Sequence, residues 1–92
     1  MKSLPANVSP YKQTPEFTDT TVPAGLLRSH NTKQGVWAKI VVVEGALIYR
    51  ILEPSVEETR LEPGLFGVIE PCIKHEVAPE PGVRFHVEFY RA

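Results

Sequence analysis

The run VWAKIVVVEGALIYRIL, Val36 to Leu52, decides the fold. Its first half is rich in β-branched residues, which suit the pleated, half-buried surface of a strand. Glu44-Gly45 then supplies a two-residue reversal, and Leu47, Tyr49 and Ile51 recur at the period of two that marks a second strand. The reading is a β-hairpin, residues 36–43 against 46–52. The first strand is apolar on both faces, with Val36, Ile40 and Val42 on one and Trp37, Val41 and Val43 on the other. Such a strand needs cover on both sides, so a homodimer using the Trp37 face is expected.

Outward from this run the chain keeps the same character. Turn signals fall at Gly35, Glu44-Gly45, Pro54-Ser55, Pro63-Gly64, Pro71 and Pro81-Gly82, and nine scattered prolines in 92 residues disfavour long helices. Residues 65–70 read as a strand stopped by Pro71, and residues 75–78 as a short one. Residues 83–90 alternate without a break: Val83, Phe85, Val87 and Phe89 share one face, Arg84, His86, Glu88 and Tyr90 the other. Residues 1–14, with Pro5 and Pro10 and no periodicity, read as an extended arm lying along a sheet edge or a partner subunit. A short strand through Thr20, Thr21 and Val22 is expected to end at Pro23-Ala24-Gly25. The fold class is all-β, an antiparallel sandwich or barrel forming one domain over residues 1–92.

Composition excludes several functions. Ten basic and eleven acidic residues are interspersed and leave a net charge of -1, so there is no nucleic-acid footprint. The longest apolar run, Ile40 to Val43, is far short of the ~20 residues that cross a bilayer. No signal-peptide core follows Lys2, because Pro5, Asn7 and Pro10 interrupt the apolar residues there. The one cysteine, Cys72, cannot form a disulfide within the chain and reads as a core filler. A soluble, cytoplasmic protein is expected.

Three segments carry a resemblance: PAGLLRSHNTKQGVWAKIVVVEGALIY from Pro23, LEPGLFGVIEPCIKHEV from Leu61, and VRFHVEFY from Val83. With them the chain resembles the tellurite-resistance protein B N-terminal-like family over nearly its whole length. The resemblance implies a cupin, a double-stranded β-helix or jelly-roll barrel, and a link to tellurite resistance or oxidative and nitrosative stress. Gly45 matches the end of the first cupin motif, and Pro63-Gly64, Pro71 and His75 match the second. The usual His-x-His with a following Glu is absent, since Asn31, Thr32, Lys33 and Ala38 stand in that region and only His30 is near. The S-adenosylmethionine-dependent methyl transfer of the full-length family protein belongs to a separate downstream domain. That domain needs a glycine-rich βα turn, and no such turn occurs in these residues.

His30 and His75 are the principal candidates for chemistry, because imidazole is the commonest transition-metal ligand and barrels recruit ligands from distant strands. The alternative is a hydrogen-bonded pair at the barrel mouth. His86 would complete a three-histidine zinc, nickel or iron site, but its strand phase sets it opposite Phe85 and Val87. Glu70 is the foremost carboxylate for such a site, ahead of Glu76 and Glu88; as solvated acids they need no ligand. Arg28, His30 and Lys33 lie in one loop, where they could hold a small oxyanion such as tellurite or simply face solvent.

The leading reading is a non-enzymatic metal- or small-ligand-binding cupin. Two alternatives stand beside it: a small metal-dependent enzyme of dioxygenase or isomerase type, and a structural partner for a separate methyltransferase.

Overall fold

The computed structural model describes residues 1–92 as eight strands, all paired antiparallel, with one turn of 3-10 helix at Ala24–Leu27 and no α-helix. The strands are β1 (Ser9–Gln13), β2 (Phe17–Thr18), β3 (Trp37–Glu44), β4 (Leu47–Ile51), β5 (Glu57–Leu61), β6 (Gly67–Ile69), β7 (His75–Pro79) and β8 (Arg84–Arg91). They form two sheets. The larger runs β1-β8-β3-β6, with β2 also pairing to β8, and the smaller runs β5-β4-β7. No strand pair joins one sheet to the other, so they face each other as a sandwich rather than closing into a barrel.

The hairpin expected over residues 36–52 does not form, although both of its strands do. β3 pairs with β6 and β8, whereas β4 pairs with β5 and β7. Residues 44–46 therefore carry the chain from one sheet to the other. Gly45 makes the crossing at φ +76°, and a Cβ there would lie 3.0 Å from the Val83 Cα. The alternation read from the sequence is right for each strand, but the inward residues meet across the sandwich. Ala38, Ile40 and Val42 of β3 and Leu47 and Tyr49 of β4 all enter one core with Leu61, Ile69, Val77, Val83, Phe85 and Val87. Tyr49 ties the sheets together, its hydroxyl donating to the Val68 carbonyl at 2.9 Å.

The alternation into β8 holds through Val87, with Val83, Phe85 and Val87 buried and Arg84 exposed, but Tyr90, read on the outer face, is also buried and Phe89 is only half-buried. The N-terminal arm lies along the sheet edge, with β1 on β8, and Pro10 is tolerated because that strand is the edge. The expected strand over Thr20 to Val22 is absent. Thr18 Oγ1 accepts from the backbone N–H groups of Thr20 and Thr21, and this local bonding turns the chain just after β2. Cys72 is exposed rather than in the core. It occupies a turn after Pro71 with φ 64°.

Candidate functional site

The sandwich is not filled completely. A cavity of about 240 Å³, open to solvent on one side, lies against the inner faces of β3, β6, β7 and β8 and is flanked by Thr14, Phe17, Pro23, Gly25 and Leu26. Its walls are mainly Ile40, Ile69, Val77, Phe85, Val87 and Phe89, and its polar side chains are Thr14, Thr32, His30 and His75. No Asp, Glu, Lys or Arg lines it.

His30 and His75 meet there for a backbone reason. Each donates its N–H to the other's carbonyl at 2.8 Å, an isolated antiparallel bridge that lengthens the smaller sheet beyond β7. Directly opposed antiparallel residues project to the same side. The two imidazoles accordingly stack edge to face, with ring centroids 5.4 Å apart. His75 is 1 % exposed, and its ring also packs edge-on at 6.1 Å from Tyr49. His30 is exposed and forms the rim.

The chemistry of His75 follows from its surroundings. Its Nδ1 lies 3.1 Å from the Ile73 carbonyl, which can only accept, so Nδ1 carries the proton of the neutral ring. The other nitrogen, Nε2, is then an unprotonated acceptor. Burial holds the imidazole pKa below its ordinary value; the Ile73 carbonyl opposes this shift and the neighbouring His30 adds to it.

The remaining candidates lie elsewhere. His86 is on the outer face of the larger sheet, its Nε2 2.9 Å from Glu88. Tyr90 donates to the same carboxylate at 2.8 Å, and Lys39 Nζ stands 3.7 Å from it. Burial acts to raise the Glu88 pKa, but the bonds from His86 and Tyr90 and the Lys39 charge together hold it below the ordinary value. Glu76 is paired with Arg50 on the outer face of the smaller sheet. Glu70 borders a different hollow, beside Met1, Lys2 and Tyr49; its buried Oε1 faces Lys2 Nζ at 3.0 Å as an ion pair and accepts no hydrogen bond. Arg28 and Lys33 are exposed in the loop and do not line the cavity.

The side chains expected to form a metal centre are not gathered in one place. No group of three or more His, Cys, Asp or Glu side chains is placed to hold an ion. The cavity offers two imidazoles and no carboxylate. Sequence reasoning missed Thr14 and Thr32, whose hydroxyls tie the cavity wall together. Thr14 Oγ1 accepts from Val87 N–H at 3.0 Å, and Thr32 Oγ1 donates to the Val36 carbonyl at 2.8 Å. Only the place of Thr32 within HNTK hinted at a role.

The model of the TehB-like domain matches residues 12–87. This chain belongs to the TehB-like domain family. Its fold is that of solved relatives. A crystal structure of an Escherichia coli K12 protein superposes with a TM-score of 0.88 at 27 % identity, covering 100 % of this chain and 98 % of that one. TehB from Haemophilus influenzae superposes with a TM-score of 0.86, also at 27 % identity, covering 94 % of this chain and 32 % of TehB. The TehB-like chain thus corresponds to about a third of the longer protein. No curated protein sequence matches it. No helix is long and apolar enough to cross a membrane.

Proposed function

We propose that this domain is a small-ligand-binding module of the cupin type, serving the tellurite-resistance role for which its family is named, with the ligand seated beside His75. One observation supports the reading: an apolar cavity of about 240 Å³ is lined by a buried imidazole whose Nδ1 is committed to Ile73 and whose Nε2 makes no hydrogen bond within the protein. Ligand sites are commonly apolar pockets with a few placed polar groups. A binding role is favoured over catalysis because no acid, base or nucleophile pair accompanies the imidazoles in the cavity. A pair of such modules, joined through the outer face of β3, completes the proposal.

The test is an amide-shift screen of the labelled protein against small organic molecules, oxyanions and divalent metal ions. Support is a set of shifts concentrated on His75, Val77, Phe85 and Val87 with at least one class of probe. Shifts scattered over the outer faces, with the cavity residues unmoved by every class, overturn the reading.

A further inference from the structure

The cavity's polar groups narrow the class of guest. Among its hydroxyls, Thr14 donates to the Pro15 carbonyl at 2.9 Å while accepting from Val87, and Thr32 donates to Val36. Both hydroxyl protons are therefore spent on backbone. The Nδ1 proton of His75 faces Ile73. No hydroxyl donor is left free in the cavity, and His75 Nε2 makes no hydrogen bond within the protein. The only uncommitted imidazole N–H is that of His30, at the exposed rim.

Charge points the same way. An anion buried without a cation or several donors loses hydration worth several kcal/mol. No lysine or arginine lines the cavity, and the neutral state of His75 is the one that burial favours. A cation finds no carboxylate there either. An uncharged guest loses little by entering, and its apolar body gains roughly 25 cal/mol for each Å² withdrawn from water. Size is compatible with a single ring: a dry cavity of about 150 Å³ admits benzene, and this one is about 240 Å³.

We infer that the TehB-like cavity selects small, uncharged, largely apolar molecules bearing one O–H or N–H donor, which is received by His75 Nε2, and that it rejects oxyanions. This rests on the cavity being a ligand site, as proposed above. Its consequence is that the domain does not sequester tellurite in this cavity.

Four probes separate the possibilities: phenol, anisole, benzoate and tellurite, each titrated into wild-type protein near neutral pH and followed by amide shifts. Phenol and anisole share a ring, but anisole has lost the donor. Phenol is expected to move His75 and Val77 with at least tenfold higher affinity than anisole, while benzoate and tellurite leave them unmoved. Equal affinity for phenol and anisole overturns the inference, since the acceptor is then idle. Benzoate or tellurite binding in the cavity as tightly as phenol also overturns it, yet leaves the ligand-site reading standing. If none of the four probes moves these residues, the inference fails; if the wider screen is silent too, the ligand-site reading fails with it. Because the comparison is between probes on one unaltered protein, folding defects cannot mimic any of these results.

Discussion

Replacing Gly45 with alanine probes the crossing that makes this chain a sandwich rather than a hairpin ladder. Two costs fall on one atom. Gly45 sits at φ +76°, a conformation that costs an L-residue about 1–2 kcal/mol. The new Cβ also lies 3.0 Å from the Val83 Cα and 3.3 Å from Val83 N and the Gly82 carbonyl oxygen, all backbone atoms that cannot swing aside. Overpacking of this kind adds about 1–3 kcal/mol. The stiffer unfolded chain returns about 0.4–1 kcal/mol. The net loss is about 1–4.5 kcal/mol, or a fall in Tm on the order of 5–35 °C for a domain of this size. Urea denaturation with thermal melts measures it, and two other glycines serve as controls. Gly64 has φ +89° but nothing within 4 Å of a new Cβ, so Gly64→Ala reports the conformational cost alone. Gly25 has neither burden, and Gly25→Ala is expected to be close to neutral. If Gly45→Ala costs no more than Gly64→Ala, the close approach to residues 82–83 is not part of what holds the crossing, and the packing argument is wrong.

Three further expectations follow from the same geometry. Because the folded state holds His75 below its ordinary pKa, the unfolded chain binds a proton first as pH falls; stability is full above about pH 6.5, declines below it, and levels off once the folded imidazole also protonates, at no more than about 1.4 kcal/mol per pH unit. Thermal melts from about pH 8 to about pH 5.5 should show that slope in wild type and a shallower one in His75→Gln; identical slopes contradict the assignment. Tyr49→Phe removes the bond to the Val68 carbonyl between the sheets and should lower stability by about 1 kcal/mol in urea, whereas an unchanged midpoint means that bond contributes nothing net. The proposed dimer should appear as twice the monomer mass in light scattering at micromolar concentration, and Val43→Lys, on the exposed outer face of β3, should return it to monomer; a wild-type monomer rules the dimer out.

Much of the fold was legible because strand alternation is a local property. The inward set of β8 could be read residue by residue through Val87, and so could the inward sets of β3 and β4. What joins them was not legible, since Glu44-Gly45 between two alternating strands serves a hairpin and a sheet crossing equally well. The choice between them lies in Val83 packing under Gly45, nearly forty positions away. β5 has no strand signal in the sequence because Glu57, Glu58 and Arg60 are exposed on an edge strand, where charge is favoured and the apolar signal is confined to Leu61. At the site, the histidine types and the second cupin motif pointed to His30 and His75, and the bridge between them brings the pair together. Glu70 follows the last residue of β6 and borders the hollow with Met1, Lys2 and Tyr49 rather than the cavity, a placement no local pattern records. The empty charge ledger of the cavity, which shapes the ligand inference, depends on which side chains the fold keeps out, and no local pattern records that.

The account stands on His75 presenting an unprotonated Nε2 to the cavity. Long-range proton–nitrogen correlation of the imidazole at about pH 7.5, where an ordinary histidine is mostly neutral, reads the tautomer directly. The expected spectrum has Nδ1 protonated and Nε2 bare, with the Nε2 resonance moving when phenol is added and Nδ1 staying in place. A proton found on Nε2, or on both nitrogens, contradicts it.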